Sequence, residues 1–168
     1  GANDYNDADD VDVVTQGVLE MIKTADKTDA TIGEIITYTL EVTVAEGRTV
    51  LNFTDTLPAD TLLVANSVQL ASNPDGLDIQ GLSNNTVTGQ ALTIISDGTV
   101  DPDSATVETS TFTISYEVIV LNVADNTGLL GNQTALTNTV VTTADLNDDG
   151  DTTDPHETVN DGTTTDVI

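Results

Sequence analysis

Residues 34–44 read EIITYTLEVTV. Ile36, Tyr38, Leu40, Val42 and Val44 fall on one parity, and Thr37, Thr39, Glu41 and Thr43 on the other. Side chains of an extended chain alternate between two faces, so this stretch predicts a strand with one apolar and one wet face. The same alternation returns in ETSTFTISYEVIVL (108–121), where Phe112, Ile114, Tyr116, Val118 and Val120 share a face. It returns again in TALTNTVVTTA (134–144), with Leu136, Asn138 and Val140 together. VDVVTQGVLEMIKT (11–24) predicts a long edge strand broken near Gly17. RTVLNFTDTLP (48–58) predicts another, with Leu51, Phe53 and Asp55 on one face and Pro58 at its end.

The segments between are turn-rich. ADKTDATIG (25–33) reads as a connection and SDGTVDPDSA (96–105) as a loop. TLLVANSVQL (61–70) and TVTGQALTII (86–95) each read as a single strand, with a short strand at 77–82 between them. ETVNDGTTTDVI (157–168) reads as holding a closing strand at about 158–168. No segment carries a helical period. Short strands punctuated by turns over this length predict an all-β antiparallel sandwich, residues 11–168, preceded by an acidic leader at 1–10.

Composition narrows the function. The chain has 168 residues, with 29 Asp or Glu against 3 Lys or Arg, a net charge of -26. Nucleic acid needs a basic footprint that is missing here, and anionic membrane surfaces would repel the chain. No apolar run approaches the ~20 residues of a membrane span. These 168 residues carry no secretory-leader pattern, so if the protein is exported its targeting segment is expected to have been removed. With no Cys, a disulfide scaffold and a thiolate site are excluded. A large net charge with 3% aromatics resembles a disordered chain, but 38% hydrophobic residues in alternating runs supply a core. The 31 Thr suit the wet faces of strands.

Two constellations stand out. The first is DLNDDGDTTDPHE (145–157). Asp145, Asn147, Asp149 and Asp151 alternate, with Gly150 between the last two, as in the first half of a calcium-binding loop. The twelfth position is His156, so Glu157 falls one residue late. Asp154 and Glu157 complete the candidate ligand set. Seven carboxylates in 145–161 repel one another unless a cation intervenes. The alternative is a solvated acidic turn. A weaker cluster, Asp4, Asn6, Asp7 and Asp9, lies in the leader, and calcium shared between the two clusters would join copies head to tail.

The second is Lys23, Asp55 and Asn138. Lys23 shares parity with Leu19 and Met21, Asp55 with Leu51 and Phe53, and Asn138 with Leu136 and Val140. All three point to the apolar side, where unpaired polar groups are costly. A bulge that slipped the parity would remove the conjunction, and a plain buried hydrogen-bonded trio would also satisfy it.

The ordered phrases IKTADKTDATIGEIITYTLEVTV, FTDTLPADTLLVANSVQL, FTISYEVIVL and LTNTVVTT resemble a repeat domain of large bacterial and archaeal surface proteins. The resemblance covers roughly residues 18–144. Its most specific phrase is the corner Asp55-Thr56-Leu57-Pro58. It departs at Ala45-Glu46-Gly47, where the family usually has Asn-x-Gly, and in the enlarged acidic segment near the end. The resemblance implies an immunoglobulin-like sandwich with a structural or adhesive role at the cell surface or outside it. Lys23, Asp55 and Asn138 in turn resemble the spontaneous isopeptide cross-link of fimbrial shaft domains. There an uncharged Lys attacks the Asn carboxamide, polarised by a protonated acid, and ammonia leaves.

Together these readings predict a non-enzymatic extracellular structural protein. It would be a calcium-stabilised subunit or module that meets copies of itself or neighbouring repeats head to tail in a filament, matrix fibre or adhesin stalk. A terminal strand would complete a neighbour's sheet. The competing expectation is a calcium-dependent ligand- or carbohydrate-binding adhesion module, against which the scarcity of aromatics counts.

Overall fold

A computed structural model describes residues 18–45, 47–74, 76, 78–82, 85–100, 109–126, 128–129, 132–146 and 150–168. The acidic leader, the 11–17 part of the first predicted strand, and Asn147 and Asp149 lie outside the described residues.

The described chain forms two sheets. The first contains β1 (Leu19–Ala25), β3 (Ile35–Ala45), β10 (Thr109–Val120) and β5 (Thr61–Leu63), in that order, with β6 (Gln69–Ser72) also paired to β10. The second runs β2 (Asp29–Ala30), β13 (Thr158–Val167), β12 (Asn132–Ala144), β4 (Gly47–Thr56), β9 (Ala91–Val100) and β7 (Asp78–Gln80). There β8 (Thr86–Thr88) pairs with β9, and β11 (Gly128–Leu129) with β12. Every pairing is antiparallel except β2 with β13. The all-β sandwich expected from the alternation is the fold.

Register explains the core. In β3 and β10 the buried residues face one another across the ladder: Val42 opposite Phe112, Leu40 opposite Ile114, Tyr38 opposite Tyr116, and Ile36 opposite Val118. The second sheet answers with Leu51 and Phe53 of β4, Leu92 and Ile94 of β9, and Leu136 and Val140 of β12, all buried. Two alternating faces pressed together exclude water from both, which is the main force holding a sandwich closed.

Three predicted boundaries are corrected. Residues 86–95 are not one strand but a hairpin, β8 and β9, turning at Gly89, whose φ of +62° suits a residue without Cβ. Residues 96–100 are not loop, because β9 continues through them between β4 and β7. Backbone pairing on both edges holds this polar stretch extended, a cause that side-chain hydropathy does not register. Residues 61–70 split into β5 and β6 around a turn at Ala65 and Asn66, the latter at φ +61°. Both pieces still pair with β10. The 25–33 connection also holds the two-residue β2, pinned by Asp166 N donating to Thr28 O and Ile168 N to Ala30 O.

The Asp55-Thr56-Leu57-Pro58 phrase is where β4 leaves its sheet. Leu57 is buried, and its N–H donates to Gln90 O. The Pro58 carbonyl accepts from Thr61 Oγ1 at 2.8 Å and from Gln90 Nε2 at 2.5 Å. Proline supplies no N–H and ends the ladder, while its carbonyl anchors the exit. Asp55 is thereby fixed near the last turn of pleat in β4.

Candidate functional site

Lys23 comes from β1, the edge of the first sheet, while Tyr38 and Tyr116 come from neighbouring β3 and β10 of that sheet. Asp55 and Asn138 come from β4 and β12 of the second. All five are buried, Lys23 at 4% exposure and the others at 0%. The predicted trio therefore converges between the sheets, as its parity implied. One of the chain's 3 cationic residues is spent inside the core.

The polar atoms form a closed set. Lys23 Nζ donates to Asp55 Oδ2 and, at 2.6 Å, to the Tyr116 hydroxyl. That hydroxyl donates to Asp55 Oδ2 at 2.5 Å and accepts from Asn138 Nδ2 at 2.8 Å. A phenol has one proton. With that proton given to Asp55, the oxygen only accepts from Lys23 and Asn138, so the carboxamide turns its nitrogen to Tyr116. Asp55 Oδ1, Asn138 Oδ1 and the Tyr38 hydroxyl are buried with no hydrogen-bond partner.

Electrostatics here favour neutral groups. Burial pushes the Lys23 pKa down, against the attraction of Asp55 and Asp161. Burial pushes the Asp55 pKa up, against Lys23 and the hydrogen bond from Tyr116. Burial raises Tyr38 to about 12, and burial with the Asp55 charge drives Tyr116 higher still. Two ring faces oppose the trend, with Nζ at 5.1 Å from the Tyr38 centroid and 5.2 Å from that of Tyr116. At both ends of the pair burial outweighs the partner's charge. Moving the ammonium proton to Asp55 leaves an amine and a carboxylic acid, and removes both buried charges.

The edge strand is also fastened from outside. Lys23 N donates to Asp161 Oδ2 of β13 at 2.6 Å, so the backbone that carries the amine is tied to the second sheet. The site thus gathers an amine-bearing residue, a carboxyl and a carboxamide in a place buried from water.

Tyr116 and Tyr38 enter the site although the alternation marks them only as core. The available signal is chemical, since a tyrosine at a fully inward position brings a hydroxyl that needs a partner.

The acidic segment is a different environment. Asp145 Oδ2 accepts from Gly150 N at 2.9 Å, with Gly150 at φ +92°. Asp151 is exposed and accepts from Thr153 N and Thr153 Oγ1, both at 2.8 Å, bonds that hold its pKa below the usual range. Asp154 is exposed. Glu157 is buried at 1% exposure, where Oε1 accepts from Leu146 N at 2.9 Å and Oε2 from Asp154 N at 3.0 Å. Among the described residues no three carboxylate, imidazole or thiol groups are placed to hold a metal ion. The candidate ligands Asn147 and Asp149, like Asp4, Asn6, Asp7 and Asp9, fall outside the described residues.

No family model and no curated protein matches the chain. Similar solved structures include a non-cellulosomal cohesin from the archaeon Archaeoglobus fulgidus, at 13% identity and TM-score 0.48, covering 89% of this chain and 91% of that one. Another is BcpA, the major pilin subunit of Bacillus cereus, at 13% identity and TM-score 0.49, covering 89% of this chain but 40% of the pilin. A third is the collagen-binding subdomain of the Enterococcus faecalis surface protein ACE, at 13% identity and TM-score 0.46, covering 88% of this chain and 94% of that one. Likeness at this level decides neither activity nor partner, which have to come from the chain's own residues.

Proposed function

We propose that the chain is a non-enzymatic structural unit whose two sheets are joined by an amide bond between Lys23 Nζ and Asn138 Cγ. The single observation behind this is the buried convergence of Lys23, Asp55 and Asn138 from three strands and two sheets. Asp55 takes the ammonium proton, and the neutral amine adds to Cγ of Asn138. The acid proton on Asp55 is then available to the carboxamide oxygen as negative charge develops there. The C–Nδ2 bond breaks, ammonia leaves, and a secondary amide remains. The orphaned Oδ1 of Asn138 suits this division, since it is a buried acceptor left open for a proton from the Asp55 carboxyl.

The mechanical consequence follows from topology. β1 and β13 are the first and last described strands, and β13 pairs with β12 along its length, from Thr158 opposite Thr143 to Val167 opposite Thr134. A bond from β1 to β12 routes tension between the chain ends through a covalent link, so the sheets cannot part under load. Such a unit suits an extracellular filament, matrix fibre or adhesin stalk in which copies or repeats meet head to tail. The acidic surface, with its net charge of -26, suits exposure to a salt-rich medium outside the cell. Among the described residues no helix is long and apolar enough to cross a membrane. Intact-mass measurement tests the bond: a deficit of one ammonia is the expected result.

Calcium belongs to the same reading through the spacing of Asp145, Asn147, Asp149 and Asp151. A ligand at a hundred times its dissociation constant adds ~2.7 kcal/mol to the folded state. Millimolar calcium is therefore expected to raise the melting temperature of metal-free protein, and Asp149→Ala to remove most of that gain. Identical melts with calcium and with chelator would remove calcium from the account and leave the cross-link standing.

A further inference from the structure

We propose that the Tyr116 hydroxyl is a catalytic proton relay between the attacking and leaving nitrogens of the Lys23–Asn138 condensation. This inference rests on the cross-linking reading and adds to it a residue with a distinct chemical task.

Asp55 alone leaves a proton-transfer problem. When the amine adds to Cγ, the new bond leaves Lys23 Nζ with a proton too many. The Asn138 nitrogen, which must leave as ammonia, has one too few. Asp55 Oδ2 accepts from Nζ, but Asn138 Nδ2 hydrogen-bonds the Tyr116 hydroxyl and not Asp55. Among the described residues, Tyr116 is the one side chain with hydrogen bonds to both nitrogens, at 2.6 Å to Nζ and 2.8 Å to Nδ2.

The polarity of these contacts changes during the reaction. In the starting amide the Nδ2 lone pair is delocalised, so Nδ2 donates to the hydroxyl. Once Cγ is tetrahedral, Nδ2 becomes a basic amine and accepts. The hydroxyl then gives its proton to Nδ2 and takes one from Nζ. The phenol is regenerated, the carbonyl reforms, and ammonia departs with the C–Nδ2 electron pair. No free phenolate is required, as its burial beside Asp55 demands. Asp55 keeps its role at the carboxamide oxygen and returns to its starting form. The sum is one amine and one carboxamide giving one secondary amide and one ammonia, without oxidant or cofactor.

Tyr116 is well placed to hold this position. It sits in mid-β10 at 0% exposure, directly opposite Tyr38 in the ladder, with ring centroids 5.5 Å apart. With the ring packed in the core, rotation of the O–H bond is the motion a relay needs.

The test follows the full chain through cell-free synthesis, sampling intact mass over time. Wild type is expected to lose one ammonia after folding. Tyr116→Phe, which keeps the ring, is expected to lose it roughly a hundredfold more slowly, within the range of general acid–base groups. A fluorotyrosine at position 116 keeps both ring and hydroxyl but acidifies the phenol. It is expected to shift the rate of ammonia loss and its pH profile, which a merely structural hydroxyl would not do. It also serves if the Phe variant does not fold. Equal rates in wild type, Tyr116→Phe and the fluorotyrosine chain would overturn the relay and leave the cross-link intact. A wild-type chain that folds and keeps its full mass would overturn both.

Discussion

Replacing Asp55 with Ala is expected to lower the melting temperature by about 10 °C and to restore the full sequence mass. Removing one member of a buried pair costs about 3–5 kcal/mol, because the remaining group is stranded in a dry site. In a chain of this size each kcal/mol is worth roughly 2–4 °C. Lys23 would keep only the Tyr116 hydroxyl, and Tyr116 would lose the acceptor of its one proton. Asp55→Asn separates acid from shape: it keeps the packing but has no acidic proton, so the mass deficit should vanish with a smaller loss of stability. Lys23→Met leaves Asp55 as a lone buried acid, whose folded pKa then lies further above its ordinary 3.8. A carboxyl raised on folding gives stability that is fully present below the unfolded pKa and is lost as pH rises through the folded value. Against the double variant Lys23→Met with Asp55→Asn, the Lys23→Met chain should therefore be relatively most stable near pH 3 and lose that advantage toward neutrality. A difference independent of pH would show that Asp55 is not buried as described.

Glu157→Ala is expected to cost about 3 kcal/mol and to free the acidic segment from the sandwich. Each Glu157 oxygen accepts one backbone N–H, from Leu146 and Asp154, across the segment that the charge repulsion would otherwise spread. Hydrogen bonds to a charged acceptor contribute roughly 1.5–3 kcal/mol each, and both donors are partly shielded from water. The Glu157 backbone joins the same knot, with its carbonyl accepting from Ala144 N at the end of β12. Glu157→Gln keeps one good acceptor and should lose about half as much. Limited proteolysis should then cut first between 145 and 157. A variant as resistant as wild type would mean that another contact fixes the segment.

The two sites differ in how far the sequence alone foretells them. Parity placed Lys23, Asp55 and Asn138 inside because each sits in a run of alternating side chains long enough to fix a face. That geometry is local, and the sandwich then brings the three faces together. The Tyr116 bridge was not legible, since its distances to Lys23 and Asn138 depend on how two sheets meet. Glu157 belongs to the same class. Its lateness in the calcium-loop pattern was visible, whereas its burial depends on where β12 ends and β13 begins. The missed hairpin at 86–95 turned on Gly89, a glycine inside an otherwise alternating run, and the extension of β9 to Val100 turned on edge pairing that no side chain announces.

The central claim rests on a covalent bond, and the intact mass of the purified, denatured chain tests it most directly. The account predicts a mass one ammonia below that of the sequence, with digestion yielding a branched peptide in which a segment containing Lys23 is joined to one containing Asn138. A mass equal to the sequence, with Lys23 and Asn138 recovered on separate linear peptides, would contradict it.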